Sequence, residues 1–326
     1  MHRPHGNMIR DIHWSTDDTQ LLSAGADGFA RISQVETQTT THQFSHSFAL
    51  HSVSFDPNNE SVVCTVGRDK RICIWDMRNS SRTADGFREP VLTISPCSSK
   101  SATSITSALY LPHEPQRIVT SWSSNGILKK WDLRYLSSVD ELSLPSTLQD
   151  PVEESAVDPT TTGAQRPRGI SHLVYNERTR LIYSLAVNGR IYAHEPYLEA
   201  PSPSTLLSTY GHSGVSGTKD SFYVRMSISS CGRWLASGSS EGQAYVYALD
   251  GRPAHPFVQD RAAYQRGVVL NLHQDEVHGL DWAKDTLALA SDDQMVSLWR
   301  HDEEVGKKCR EDSEAQNWNW TWATRE

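Results

Sequence analysis

The stretch LHQDEVHGLDWAKDTLALASDDQMVSLWR (272–300) decides the fold class of this 326-residue chain. Apolar and polar residues alternate in VHGLDWA (277–283), and a second short apolar run, LALAS (287–291), follows it. A polar turn residue, Asp293, then precedes Trp299 by six positions. Period-two alternation interrupted by polar residues is typical of half-buried antiparallel strands, so the stretch predicts three strands joined by tight turns.

The same layout occurs five more times upstream, which indicates a repeat protein. In every unit a polar turn residue is followed, six positions later, by an aromatic ring or a small polar residue in the third strand. Units of about 40 residues with alternating strands are typical of propeller blades, and no segment has the 3.6-residue period of a helix. The pairs are Asp27 with Ser33, Asp69 with Trp75, Asn125 with Trp131, Asn188 with His194, Glu241 with Tyr247, and Asp293 with Trp299.

The composition narrows the class of protein further. Hydrophobic residues make up 37% and charged residues 21%, which favours a folded core with long polar loops. No apolar run approaches the ~20 residues of a membrane span, and the first ten residues lack the apolar core of a signal peptide. The five cysteines are scattered without CxxC spacing, so we expect neither structural zinc nor disulfides, and a reducing cytosolic or nuclear compartment. The net charge of −8 argues against a large phosphate-binding surface.

Motifs for catalysis are weak throughout the chain. The stretch GHSGVSG (211–217) resembles a nucleophile elbow only superficially, because a loop and a strand follow it where a helix is needed. The fourteen histidines form no HExxH pattern on a helical segment. We therefore expect a protein that is not an enzyme and that needs no metal and no cofactor.

The stretch 272–300 resembles the repeat of the WD-repeat β-propellers. His273 precedes the first strand, Ser291 ends the second, Asp293 lies in the turn and Trp299 in the third strand. The resemblance implies that these four residues form a buried hydrogen-bond network, since a buried indole N–H and imidazole need partners. The expected fold is an all-β WD-repeat β-propeller over residues 1–302, with six recognisable four-stranded blades. Seven blades are common in the family, so either an N-terminal blade is missing or the ring closes otherwise.

Three segments fall outside the repeat. Residues 79–104 are rich in serine and residues 137–169 contain four prolines, so both are expected to be long, disordered insertions between blades. The tail, 303–326, contains NWNWTW (317–322). This alternation predicts either a strand that uses Trp318, Trp320 and Trp322 or an amphipathic tail that docks in a neighbour's groove.

The pentapeptides IWDMR (74–78) and KWDLR (130–134) carry a feature that the repeat does not require. The extended chain from the turn to the tryptophan covers about 20 Å, so Arg78 and Arg134 should emerge at the opposite face, from adjacent blades. One such arginine would suit a strand-end salt bridge, but two in consecutive units favour a docking role. The predicted docking residues are Arg78, Arg134, Trp75, Asp76, Trp131 and Asp132.

Four segments together resemble the denticleless-type substrate receptors of cullin-4 RING ubiquitin ligases, in a fungal-like form: 67–78, 125–134, 222–247 and 290–300. In that family the WDxR arginine contacts the damage-specific DNA-binding adaptor. The receptors mark replication and cell-cycle proteins whose degron is bound to the DNA-loaded sliding clamp. The resemblance implies a nuclear receptor with no membrane partner and no small-molecule substrate.

Two further expectations follow from this resemblance. The first blade and the long C-terminal tail of the family are absent, which predicts a fragment or a shortened form. The face opposite the arginines should read the degron, and its candidate residues are Asp27, Arg68, Lys70, Glu241 and Asp292, although turns and networks also use such residues. A generic WD-repeat scaffold in a chromatin or RNA assembly is the alternative, and it leaves the two arginines as surface residues only.

Overall fold

The protein is described by a computed structural model that covers residues 4–83, 86–96, 103–136, 150–161, 166–198, 206–210, 220–249, 268–301 and 321–322. These residues form 24 β-strands and one short 3-10 helix. The strands assemble into six four-stranded sheets, so the predicted all-β fold with six propeller blades is confirmed. Within these ranges no helix has the length and apolar character that a membrane crossing requires.

The chain divides into two compact units, Met1–Gly169 and Ile170–Glu326. The first unit contains three blades, and a 3-10 helix, Leu133–Leu136, follows its third blade's third strand. Blade 1 comprises β1 (Ile9–Trp14), β2 (Gln20–Gly25), β3 (Phe29–Gln34) and β4 (Thr39–Ser45); blade 2 comprises β5 (Leu50–Asp56), β6 (Asn59–Gly67), β7 (Ile72–Asp76) and β8 (Leu92–Ile94); blade 3 comprises β9 (Ile105–Tyr110), β10 (Arg117–Trp122), β11 (Lys129–Asp132) and β12 (Glu153–Glu154).

The second unit contains blades 4 to 6. All pairings within its sheets are antiparallel except that of the last strand, which runs parallel to its neighbour. Blade 4 comprises β13 (Ile170–Asn176), β14 (Leu181–Ala186), β15 (Ile191–His194) and β16 (Leu206–Tyr210); blade 5 comprises β17 (Met226–Ile228), β18 (Trp234–Ser237), β19 (Gln243–Ala248) and β20 (Val268–Asn271); blade 6 comprises β21 (Val277–Ala283), β22 (Thr286–Ser291), β23 (Val296–His301) and β24 (Thr321–Trp322).

The segments outside the repeat supply the fourth strands of three blades. β8 lies within 79–104 and β12 within 137–169, so neither stretch is only a disordered connection. In the tail, Trp322 belongs to β24, whereas Trp318 and Trp320 lie outside the described residues. Strands of two or three residues are too short to show a period, so alternation in the sequence does not reveal them.

The turn between the second and third strands keeps one backbone conformation in several blades. Gly28, Gly189 and Gly242 follow the turn residue with φ of +83°, +79° and +76°. Lys70 and Gln294 take the same place with φ of +64° and +65°. Tight hairpin turns require this left-handed conformation, which glycine adopts without steric cost. The hairpin geometry is therefore retained even where glycine is absent.

In four blades the aromatic ring six positions after the turn packs against the preceding blade of the same unit. In the first unit Trp75 joins the core between blades 1 and 2, where its ring centroid lies 4.9 Å from that of Phe44, and Trp131 joins the core between blades 2 and 3. In the second unit Tyr247 lies between blades 4 and 5, and Trp299 between blades 5 and 6. In these four blades the large ring fills the space between consecutive sheets.

Candidate functional site

The end of blade 2 holds its WDxR arginine in a carboxylate clamp. The third strand ends at Asp76, whose Oδ1 accepts the backbone N–H of Arg78 at 2.9 Å. The Arg78 guanidinium donates to both oxygens of the same carboxylate, from Nε to Oδ1 at 2.9 Å and from Nη2 to Oδ2 at 2.6 Å. These hydrogen bonds lower the pKa of Asp76. The Arg78 side chain nevertheless stays 65% exposed, so it is oriented and still accessible.

Blade 3 repeats this clamp with the same atoms. Oδ1 of Asp132 accepts the backbone N–H of Arg134 at 3.0 Å and its Nε at 2.9 Å, and Nη2 donates to Oδ2. The pKa of Asp132 is lowered, chiefly by the hydrogen bond from Arg134. The Arg134 side chain is 51% exposed. Two consecutive blades thus present an exposed arginine in one internal geometry.

The two tryptophans of the motifs lie beneath these clamps and not on the surface. Trp75 and Trp131 are each 2% exposed. Their indole N–H groups donate to the hydroxyls of Thr65 and Thr120, at 2.8 and 2.9 Å. The six predicted docking residues therefore differ in what they do. The arginines are accessible to a partner, the aspartates orient the arginines, and the buried tryptophans stabilise the strands that carry both.

Both arginines lie at the same end of neighbouring sheets. Asp76 pairs across the sheet with Val62, and Asp132 pairs with Arg117. Both pairs lie at the open end of the hairpin formed by the second and third strands, opposite the turn that joins these strands. Blades 2 and 3 pack directly through β5 and β9 within the first unit. The sequence reasoning from strand length placed the arginines in this way.

A buried ionic network supports the clamp of blade 3. The Lys130 side chain is 0% exposed, and its Nζ lies 2.7 Å from a carboxylate oxygen of Glu114 and 3.4 Å from one of Glu153. Arg117 links Glu114, at 2.7 Å, to Asp132, at 3.4 Å. Sequence reasoning missed this network, although a lysine directly before Trp131, where blade 2 has an apolar residue, was its signal.

The clamp of blade 2 is supported by a different residue. Nη1 of Arg88 donates to the backbone carbonyls of Met77, at 3.0 Å, and Asn79, at 2.6 Å. These carbonyls belong to the two residues that flank Arg78. No local pattern in the sequence indicates this contact, because Arg88 lies in the serine-rich stretch that was expected to be a disordered connection.

Comparisons with known proteins agree with the predicted repeat. The family model "WD domain, G-beta repeat" matches residues 2–32 and 37–76. The chain is 27% identical over 309 residues to Cell division cycle protein cdt2 of Schizosaccharomyces pombe, covering 90% of this chain and 58% of that protein. It is 28% identical over 319 residues to Denticleless protein homolog of Danio rerio, covering 91% of this chain and 45% of that one.

A third relative, Denticleless protein homolog of Homo sapiens, is 25% identical over 324 residues, which cover 91% of this chain and 40% of that protein. The chain is similar to denticleless-type WD-repeat proteins along about nine tenths of its length. It spans between 40 and 58% of the length of these three relatives. The resemblance to denticleless-type WD-repeat proteins, predicted from four segments of the sequence, is therefore confirmed.

The residues predicted for the face opposite the arginines have different surroundings. In the first unit the Asp27 carboxylate lies 3.0 Å from His5 and 2.8 Å from Arg31. Burial would raise the pKa of Asp27, but the hydrogen bonds from Arg31 and His5 outweigh it and lower the pKa to about 2. Asp27 is thus a network residue of blade 1. Arg68 is exposed, and Lys70 occupies the left-handed turn position of blade 2.

In the second unit Asp292 lines an acidic cleft of about 420 Å³. Its side chain is 66% exposed and lies 3.5 Å from His278. Glu241 is exposed at the turn of blade 5. Sequence reasoning had selected Asp292 but missed the other acidic and aromatic residues that line the cleft, which are Asp220, Phe222, Tyr223, Asp275 and Glu276.

The buried network predicted in blade 6 uses a different hydroxyl. Nδ1 of His273 lies 2.9 Å from Asp293, and its Nε2 lies 2.8 Å from the hydroxyl of Ser297, which also accepts the Trp299 indole N–H at 2.9 Å. Ser291 instead donates to the Asp275 carbonyl at 3.0 Å and accepts the N–H of Asp293 at 3.3 Å. The hydroxyl lies on the third strand here because the second strand carries an apolar leucine opposite Ser297.

Blade 2 contains the corresponding network with its hydroxyl on the second strand. His46 lies 2.8 Å from Asp69 and 2.7 Å from the Thr65 hydroxyl, which also receives the indole N–H of Trp75. Burial would lower the pKa of His46, but the hydrogen bonds and charges of Asp69 and Cys73 outweigh it and raise the pKa to about 9. His46 is therefore a cation at neutral pH. Across the described ranges no group of three or more His, Cys, Asp or Glu residues is placed to hold a metal ion.

Proposed function

We propose that this protein is a non-catalytic substrate-recognition subunit of a cullin-4 RING ubiquitin ligase. The observation that carries the proposal is the pair of identical Asp–x–Arg clamps in neighbouring blades. The names of the relatives, denticleless and cell division cycle protein, support the same role. The partner at this face is the damage-specific DNA-binding adaptor of the ligase.

The clamp suits a docking function for a physical reason. A guanidinium offers five donors in a planar fork, and the clamp carboxylate is bound along one edge of that fork, by Nε and Nη2. Because Asp76 and Asp132 already fix the side-chain torsions, less conformational entropy is lost when a partner binds. Arg78 and Arg134 thus bind the adaptor as a preorganised pair of cations.

The opposite face takes the substrate in this proposal. In the second unit the carboxylates of Asp292 and Glu241, together with the other acidic residues of the cleft, complement a degron that carries a basic side chain. In the first unit Arg68 and Lys70 favour acidic residues of the same class of ligand. The substrates are replication and cell-cycle proteins presented on the DNA-loaded sliding clamp, and the complex acts in the nucleus.

The test replaces both exposed arginines. The Arg78→Ala, Arg134→Ala double variant is expected to lose co-purification with the adaptor while the midpoint of thermal unfolding stays unchanged, since neither side chain is part of the core. The matched control is Arg71→Ala with Arg233→Ala, which removes the same charge from two other exposed positions and should leave the complex intact. Mass spectrometry of affinity-purified protein measures both.

One outcome contradicts the proposal and favours the alternative. If the double variant retains the adaptor at the level of the control, the arginines are surface residues only. The protein is then a WD-repeat scaffold of another assembly, and the proteins recovered in the same purification identify that assembly.

A further inference from the structure

We propose that Arg88 is the positioning residue for Arg78, through a hairpin that folds back under the docking corner of blade 2. This inference rests on the proposed function, since it concerns how one of the two adaptor-facing arginines is presented. Arg88 lies ten residues after Arg78 and touches the backbone on both sides of it.

The backbone around Arg78 forms a four-residue turn. The N–H of Asn79 donates to the carbonyl of Asp76 at 3.0 Å, and the N–H of Met77 donates to the carbonyl of Ser61 on the neighbouring strand at 2.7 Å. Arg78 is the third residue of this turn. The direction of its side chain therefore depends on whether the turn keeps its shape.

The Arg88 guanidinium closes this turn from the other side. One nitrogen, Nη1, donates to the carbonyls of Met77 and Asn79, which both lie beyond Asp76, the last residue of β7. A charged donor shared by two carbonyls makes short, strong hydrogen bonds and fixes the carbonyls relative to each other. Because Arg78 lies between them, its backbone torsions are restrained by Arg88 while Asp76 restrains its side chain.

The hairpin that carries Arg88 is anchored to the sheets as well. Arg82 and Arg88 form an antiparallel bridge, and the N–H of Thr83 donates to the carbonyl of Phe87 at 2.8 Å. The Phe87 ring lies 5.8 Å from the ring of Phe29 in blade 1. The guanidinium of Arg88 is thus held by a short hairpin that packs on the adjacent blade.

By restraining this turn, Arg88 increases the fraction of molecules in which Arg78 is oriented to bind the adaptor. Apparent affinity falls in proportion to the fraction of molecules that hold the competent conformation. If loss of the Arg88 contacts leaves about a tenth of the molecules in that conformation, the affinity for the adaptor falls about tenfold. Arg134 is unaffected, because its backbone is part of the 3-10 helix Leu133–Leu136 and Arg117 contacts the Asp132 carboxylate of its clamp.

The first measurement needs no adaptor. In Arg88→Gln, amide hydrogen exchange at Arg78 and Asn79 is expected to accelerate about tenfold, while exchange in the core strands stays as in the wild type. Arg82→Gln is the matched control, because it changes the same charge in the same hairpin, whereas its recorded hydrogen bond among the described residues goes to the Gly86 carbonyl and not to the turn around Arg78. Equal exchange rates in wild type and Arg88→Gln would overturn the proposal.

The second measurement is a double-mutant cycle on binding of the purified adaptor. Arg88→Gln should weaken binding about tenfold in the wild-type background and hardly at all in the Arg78→Ala background, because Arg88 acts through Arg78. Arg88→Lys should recover part of the loss, since one ammonium group reaches one carbonyl at a time. Equal losses in both backgrounds would mean that Arg88 acts independently of Arg78, and the proposal would be wrong.

The two measurements separate this inference from the proposed function. If Arg78→Ala and Arg134→Ala leave adaptor binding intact, the proposed function fails, whereas the exchange experiment still decides whether Arg88 fixes the turn. If the double variant loses the adaptor but Arg88→Gln changes neither exchange nor binding, the docking function stands and Arg88 has no part in it.

Discussion

Blades 2 and 3 end their third strands in the same Asp–x–Arg clamp, but the residues beneath the clamp differ. The cross-strand partner of the clamp aspartate is Val62 in blade 2 and Arg117 in blade 3. The residue before the tryptophan is the buried, apolar Ile74 in blade 2 and the fully buried Lys130 in blade 3. In blade 2 the residues next to the clamp within the sheet are therefore apolar, whereas in blade 3 they belong to an ionic network.

The difference shows that the clamp is a local structure. Its aspartate and arginine are two residues apart, so their geometry depends on the turn and hardly on the blade that bears it. Exposed arginine–carboxylate pairs contribute little to stability, which means that the fold gains little from either clamp. What each blade adds is its own support for the turn, from Arg88 in one case and from Arg117 and Lys130 in the other.

The largest effect is expected from giving blade 3 the residue of blade 2. Lys130→Ile removes the ammonium group that pairs with Glu114 and Glu153, and taking one partner from a buried ion pair typically costs about 3 kcal/mol of unfolding free energy. Adding Glu114→Gln should recover part of that loss. Urea denaturation of both variants measures it, and an unchanged free energy for Lys130→Ile would mean that the network does not stabilise blade 3.

An intermediate effect is expected from the dependence of stability on pH in blade 2. The pKa of His46 is raised to about 9 from an ordinary 6.5, so the stabilisation by its charged pairing with Asp69 is complete below pH 6.5 and is lost as pH rises through 9. Between pH 6.5 and 9.5 the wild type should lose on the order of 2 kcal/mol more unfolding free energy than His46→Gln. Parallel curves for the two proteins in urea titrations at both pH values would contradict the assignment.

The smallest effect is expected from the reverse exchange, Val62→Arg. The new guanidinium would face Asp76 as Arg117 faces Asp132, at a half-exposed position where a second ion pair adds at most about 0.5 kcal/mol. Its clearer signature is a further decrease in the pKa of Asp76, measured by NMR titration of the carboxyl carbon. A gain of well over 1 kcal/mol would show that Arg117 contributes more to blade 3 than its exposure suggests.

Much of this architecture was predictable from local patterns in the sequence. The first strand of each blade was predictable from its alternating residues and the second from a short apolar run. The constant six-residue offset between turn and ring locates Trp75, Trp131 and Trp299 correctly in the cores. The exposed ends of the WDxR motifs follow from strand length alone. These features depend on residues that lie close together in the chain, where spacing and side-chain type are sufficient.

The sequence by itself determined the β-propeller class, the six units and the two exposed arginines, because each results from periodicity over a few residues. Only the tertiary structure decided which residues support those arginines. Arg88, Glu114 and Lys130 make their contacts across turns and strands, and no local sequence pattern indicates which residues they contact. In blade 6 the hydroxyl that bonds to the histidine belongs to Ser297 on the third strand, whereas in blade 2 it belongs to Thr65 on the second strand. Hydrogen bonds require proximity in space, which the fold supplies and sequence spacing does not encode.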